Sequence, residues 1–187
     1  MGYAVLKRVL DVIGALCGLL ITGLFYLPIA IAIKRDSAGP VIFAQDRLGK
    51  DQKVFRIHKF RTMRRDAAGN GQKPDADDDR VTRVGRFLRR TSLDELPQFW
   101  DVLTGEMSLV GPRPEQLVFL VKYDGWQLRR FAVKPGLTGW WQVNGRPQPM
   151  YDHVEYDVYY VEHRSLRRDL WILLRTAGAV VSGDGAA

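Results

Sequence analysis

The sequence predicts a helix-rich α+β fold: a small β-hairpin and several amphipathic helices, carried behind one long apolar N-terminal helix. Three observations predict it. No charged residue occurs from Val12 to Ile33, a run of 22 positions. Segments 41–47 (VIFAQDR) and 53–60 (KVFRIHKF) alternate in polarity and are rich in β-branched and aromatic residues, as half-buried strands are. Helical spacing of apolar residues then recurs over about 82–91, 92–104, 114–124, 151–163 and 166–182. At 187 residues, 46% hydrophobic and 26% charged, the chain suits one domain with a sizeable core and excludes intrinsic disorder and low-complexity filaments. The single cysteine, Cys17, excludes a disulfide framework within the chain and any multi-cysteine zinc site. With 28 basic against 21 acidic residues, the net charge of +7 points to an anionic partner: nucleic acid, a phospholipid surface or a phosphorylated substrate.

The apolar run would make a helix of about 33 Å, close to the hydrocarbon thickness of a bilayer. It is too long for the core of a signal peptide, and no Ala-x-Ala site follows it. Lys7 and Arg8 precede it and Lys34 and Arg35 follow it, whereas a spanning helix usually carries its basic bias on one side. Pro28 lies inside the run, where it removes a backbone hydrogen bond and bends the helix. A spanning helix with a kink and a helix that enters and leaves by one face both satisfy these facts. Asp11, at the entrance, is expected to pair with Lys7 or Arg8 one turn away.

Gly49, in the LGKDQ connection, is the expected turn residue of the hairpin. Segment 66–80 is rich in Gly, Asp and Pro and reads as a surface loop, with Asp75, Asp77, Asp78 and Asp79 as solvated charges rather than a cation cage. In the last helix Leu166, Leu170, Leu173, Ala177 and Val180 form an apolar stripe, while Arg167, Arg168 and Arg175 lie around it. Such a helix faces either the core or a membrane interface, with Trp171, and likewise Trp140 and Trp141, suited to headgroup level. His58, His153 and His163 share no metal-ligand spacing.

The segment Ser92-Leu93-Asp94-Glu95-Leu96-Pro97-Gln98 carries the chemistry. Ser92 and Glu95 have the spacing of a capping box, and Pro97 suits a helix start. A helix beginning here would put Asp94 in its first turn, at the positive end of the dipole. Neighbouring helical residues point in different directions, so one carboxylate can attack while the other moves a proton. Acidic residues in a first turn often do no more than complement the dipole, and the surroundings decide. Lys59, Arg61, Arg80, Arg86, Arg89 and Arg90 precede the pair; Arg113 follows in Gly-Pro-Arg-Pro and Arg146 in Asn-Gly-Arg. Arginine forks match phosphate oxygens, and Gly-Pro turns fix them in place. Neither a P-loop nor a dinucleotide-binding glycine motif occurs.

Taken in order, several segments resemble one family, the monotopic phosphoglycosyl transferases, also called bacterial sugar transferases. They are Lys7-Arg8 with Asp11; Gly39-Pro40…Phe43…Gln45…Arg47…Gly49; Lys59-Phe60-Arg61-Thr62-Met63; Leu88-Arg89…Ser92-Leu93-Asp94-Glu95-Leu96-Pro97-Gln98; Met107-Ser108…Gly111-Pro112-Arg113-Pro114; Pro135-Gly136…Thr138-Gly139; and Gln142…Gly145-Arg146. The resemblance implies transfer of a sugar 1-phosphate from a UDP-sugar to a polyprenyl phosphate such as undecaprenyl phosphate, releasing UMP and starting lipid-linked glycan assembly. Asp94 would be the nucleophile that forms a phosphosugar intermediate and Glu95 the neighbouring acid/base. Mg²⁺ would sit at Asp94, and Lys59, Arg61, Arg89, Arg113 and Arg146 would bind phosphate or nucleotide. The resemblance also implies a re-entrant helix broken at Pro28 (residues 1–35) and a catalytic domain (36–187) on the cytoplasmic face of the bacterial inner membrane. Small members often have Ser before that proline, where this chain has Leu27. The additional spanning helices of larger members have no counterpart here, which implies the minimal catalytic form. Membrane phospholipid, downstream glycosyltransferases and a second copy of the chain are the partners compatible with this picture.

A non-catalytic, membrane-anchored basic scaffold is the competing reading, and it would tolerate loss of both carboxylates. Nucleic acid is not an expected partner, since no aromatic–basic RNA motif or DNA-reading helix is present. Segments 64–80 and 147–153 are the expected source of sugar contacts.

Overall fold

The computed structural model describes residues 2–64, 78–144 and 153–182. Helix α1 runs from Gly2 to Asp36 with Pro28 inside it, about 52 Å at 1.5 Å per residue. Among the described residues it is the one helix long and apolar enough to cross a membrane. It nevertheless lies against the rest of the protein along its whole length. Tyr3 donates to Asp169 (3.0 Å) and Lys7 pairs with the same carboxylate (3.2 Å). Ala15 joins the main core, Gly18 meets the ring of Phe99, and the Thr22 hydroxyl reaches the carbonyls of Gly18 and Leu96. Ile29 and Ile33 pack with Phe60 and Leu88, and Asp36 accepts from the Val84 amide. These contacts recur every third or fourth residue, one stripe of a helix. The opposite face exposes Val9, Ile13, Leu16, Leu20, Leu24 and Leu27.

Asp11 does not pair with its own helix. It accepts from the Ser108 hydroxyl and the Leu109 amide, both at 2.9 Å. Lys7 is held by Asp169, and Arg8 donates to the carbonyls of Val102 and Leu103. The buried carboxylate thus satisfies the Leu109 amide, which would otherwise be unpaired, a stronger demand than a one-turn ion pair on a helix surface.

Strands β1 (Ile42–Leu48) and β2 (Val54–Phe60) form the expected antiparallel hairpin, with Gln45 opposite Ile57 and Arg47 opposite Phe55. Its turn takes left-handed backbone at Asp51 and Gln52 rather than at Gly49, which is extended. Helix α2 (Arg83–Arg90) is capped by Thr82, whose hydroxyl accepts from the Gly85 amide. A Cβ at Gly85 would lie 2.0 Å from the Thr62 carbonyl, so only glycine permits this approach.

The helix expected over 92–104 divides in two. Ser92 stands at φ 56° and makes no side-chain cap; Leu93–Glu95 form a single 3₁₀ turn, and α3 (Gln98–Thr104) starts after Pro97. Ser92 serves the preceding helix instead: its amide donates to the Arg89 carbonyl from the left-handed position that ends α2. Strands β3 (Ser108–Val110) and β4 (Gly136–Thr138) pair in parallel. Neither was visible as a strand in the sequence, because three residues are too few to show alternation. The pattern over 114–124 becomes a 3₁₀ segment at Leu117–Lys122, with another at Gln127–Ala132. Helices α4 (Trp140–Asn144), α5 (Glu155–His163) and α6 (Leu166–Ser182) complete the described chain.

Two apolar clusters hold these elements. The larger joins Ala15, Phe55, Ile57, Val102, Met107, Tyr160 and Ile172; the smaller joins Ile29, Ile33, Phe60 and Leu88, with Leu93 and Leu96 against it. Strand β2 contributes to both, and the 3₁₀ turn is pinned by the two leucines that flank its carboxylates.

Candidate active site

Leu93 and Leu96 face the smaller cluster, which leaves Asp94 and Glu95 beside β2. Lys59 Nζ lies 2.6 Å from Glu95 Oε1 and 4.0 Å from Asp94 Oδ2, while an Arg113 terminal nitrogen is 3.7 Å from the same Glu95 oxygen. Arg89, at the end of α2, donates from Nε to the Thr62 hydroxyl (3.0 Å) and contributes positive potential at Asp94. Lys59, Arg89 and Arg113, from three separate elements, therefore converge on the carboxylate pair. Arg61 does not share this geometry. Its terminal nitrogens donate to the carbonyls of Ala38 and Ser37 at 2.7 Å, capping the C-terminal end of α1 where cations are favoured. Arg146 lies outside the described residues, as do Asp75 and Asp77.

Asp94 is 8% exposed. Burial raises its pKa to about 6; the neighbouring Glu95 adds to the rise, and Lys59, Arg89 and Arg113 oppose it. No helix dipole assists, since Asp94 sits in one 3₁₀ turn and α3 begins four residues later. The charge of the pair is balanced by the basic side chains instead. A small open cleft lies beside it, lined by Arg47, Ile57, Lys59, Glu95, Gln98, Arg113, Pro114, Gly136 and Leu137. Arg113 is positioned from behind: buried Arg130 donates to its carbonyl (2.9 Å) while pairing with Asp157 and Glu115.

Arg47 and Gln98 belong to this cleft but were not among the residues singled out as ligands. Strand alternation could have found Arg47, which shares a face of the hairpin with Lys59. The histidines are engaged elsewhere: His58 with Asp101 (2.6 Å), His153 with Glu155, His163 with the Tyr159 carbonyl. Asp78 pairs with Arg80, whose hydrogen bonds hold its carboxyl down to about 2. Among the described residues no cluster of three or more metal-ligating side chains occurs.

The bacterial sugar transferase family matches residues 2–183 of this chain. The chain belongs to that family. Among its relatives, the galactosyl transferase CpsE of Streptococcus agalactiae is 42% identical over 98% of this chain and 44% of its own length. The UDP-glucose:undecaprenyl-phosphate glucose-1-phosphate transferase of Escherichia coli K12 is 44% identical over 91% of this chain and 39% of its own. The chain thus spans less than half of either relative. It covers 90% of the uncharacterized sugar transferase EpsL of Bacillus subtilis, at 41% identity. Family membership fits the carboxylate pair among converging cations.

Proposed function

We propose that this chain transfers a sugar 1-phosphate from a UDP-sugar to polyprenyl (undecaprenyl) phosphate, through a phosphosugar bound covalently to Asp94. The observation that carries the reading is a buried carboxylate at the meeting point of Lys59, Arg89 and Arg113. The UDP-glucose:undecaprenyl-phosphate transferase named above supports the substrate class.

In the first half, an Asp94 carboxylate oxygen attacks the phosphorus that bears the sugar. The bond from that phosphorus to the bridging oxygen breaks, and its electron pair leaves with UMP. In the second half, a polyprenyl phosphate oxygen attacks the same phosphorus and the Asp94 carboxylate departs, leaving a polyprenyl diphosphate sugar. Splitting the transfer makes sense because an acyl phosphate is reactive enough to pass its group on. Glu95 is assigned to accept a proton from the lipid phosphate, and Lys59, Arg89, Arg113 and Arg146 to phosphate or nucleotide oxygens. The terminal nitrogens of Arg61 are engaged by carbonyls, so its part in this reading is to fix the end of α1.

Mg²⁺ fits the donor set. It binds through one or two carboxylates together with substrate phosphates rather than in an all-protein cage, and among the described residues the cation nearest the Asp94 carboxylate is Lys59 at 4.0 Å. When bound there it would neutralise diphosphate charge.

The proposed membrane arrangement rests on α1. A helix attached to its domain at Tyr3, Asp11, Thr22 and Asp36 would have to drag that domain into the bilayer in order to span it. We read α1 as entering one leaflet only, bent at Pro28, with basic residues at both ends on the cytoplasmic face of the inner membrane. The exposed apolar side chains of α6, Leu170 and Leu174, and Trp171 are assigned to the same interface with membrane phospholipid.

The test is UMP release by the protein held in detergent or nanodiscs with Mg²⁺, undecaprenyl phosphate and a panel of UDP-sugars, alongside Asp94→Asn. Release that requires lipid and Asp94, with a phosphosugar adduct on Asp94 when lipid is omitted, is the expected result. Neither release nor adduct with any donor would favour the scaffold reading.

A further inference from the structure

Two side chains in the cleft have no part in the reading above, on which this inference rests. Arg47 lies at the end of β1, half-buried, with one terminal nitrogen 2.7 Å from Gln45 Oε1. It shares the cleft with a second guanidinium, that of Arg113. Among the described residues no carboxylate lies within ion-pair distance of Arg47, whereas Lys59 and Arg113 both reach Glu95. Two cations drawn partly out of water repel one another. Burial and Arg113 push Arg47 down to about 10, with Glu115 opposing the shift. Gln98, the first residue of α3, is 2% exposed and lines the same cleft. Among the described residues its Nε2 has no hydrogen-bond partner. A buried amide donor left unpaired is costly to the fold, and its place in the same cleft as the Arg47 guanidinium calls for an acceptor from a ligand.

We propose that Arg47 and Gln98 form a phosphoryl-binding subsite of the cleft. The Arg47 fork takes phosphoryl oxygens in the bidentate manner of arginine, and Gln98 Nε2 donates to a further oxygen of the same group. That chemistry belongs both to the diphosphate of the nucleotide donor and to the polyprenyl phosphate acceptor.

The measurement is binding rather than turnover: titration of the full chain in nanodiscs with UDP and, separately, with a short-chain polyprenyl phosphate. Wild type is compared with Arg47→Gln, Arg47→Lys and Gln98→Met. Arg47→Gln should weaken one of the two ligands about tenfold or more, and Arg47→Lys, which keeps the charge and loses the fork, should recover part of it. Gln98→Met should weaken the same ligand while the melting temperature of the ligand-free protein holds or rises, because an unpaired buried donor has been removed. A purely structural residue would instead lower the melting temperature and leave affinity alone. Loss confined to UDP assigns the subsite to the donor; loss confined to the lipid phosphate assigns it to the acceptor. Unchanged affinity for both ligands in all three variants overturns the subsite and leaves the proposed reaction standing. Wild type that binds neither ligand overturns both.

Discussion

Asp94 shows how burial and charge compete at a single side chain. Its carboxyl is raised from the ordinary carboxylate value to about 6, chiefly by burial, and the surrounding cations do not cancel the rise. Above the pKa of the unfolded chain the unfolded state has released this proton while the folded state still holds it, so stability falls as pH rises from about 4 to about 6. The full penalty persists at neutral pH. In magnesium-free buffer at pH 7.5, Asp94→Asn should therefore stabilise the protein, by on the order of 1–3 kcal/mol, with a gain that shrinks towards pH 5. Thermal melts of both proteins across that range check it, and equal melting temperatures at pH 7.5 would show that the site is not strained by its charge. The same variant abolishes transfer in the proposed reaction, so a residue that destabilises the fold is the one that does the chemistry. Asp94, Lys59, Arg89 and Arg113 were legible through the resemblance of their spaced motifs to one family, since acidic residues in a first turn often only complement the dipole. Arg61 was not told apart from them: residue type reveals a guanidinium, and only position reveals that it faces the carbonyls closing α1.

At the scale of elements, α1 is joined to the domain by polar groups that apolar patterning conceals. Asp11 holds the Ser108 hydroxyl and the Leu109 amide, and so ties α1 to β3, whose partner β4 brings Gly136 and Leu137 to the cleft. Asp11→Ala would leave the buried Leu109 amide without an acceptor, at about 1–3 kcal/mol, whereas the Ser108 hydroxyl keeps the Val110 carbonyl; Asp11→Asn keeps one acceptor oxygen. The expected order of melting temperatures is wild type, then Asn, then Ala; an unchanged Ala variant would mean the contact contributes nothing. Pattern reading located the hairpin and α2 because each is long enough to show its period. It joined residues 92–104 into one helix because Ser92 and Glu95 have capping-box spacing, and spacing is blind to the left-handed backbone at Ser92.

The molecule as a whole is a helix of about 52 Å laid along its own domain, apolar on the outer side and stapled on the inner. That architecture predicts which side of the membrane each end of α1 faces. In a Cys17→Ser background, Gly2→Cys and Lys34→Cys should both react with a membrane-impermeant maleimide from the side on which Lys122→Cys in the domain reacts. Reaction of the two helix ends from opposite sides would establish a spanning helix and overturn the one-leaflet reading.

By itself the sequence determined that this chain has one apolar helix of membrane length, a hairpin behind it, and a carboxylate pair in basic surroundings, because each is written in a local period or spacing. The tertiary structure decided which cations meet Asp94, that Arg61 closes a helix, that Arg47 and Gln98 share the cleft, and that α1 lies against the domain. Most of those are contacts between residues far apart in the chain, and they are set by the packing of Leu93, Leu96, Ile29 and Phe60, to which no local pattern is sensitive.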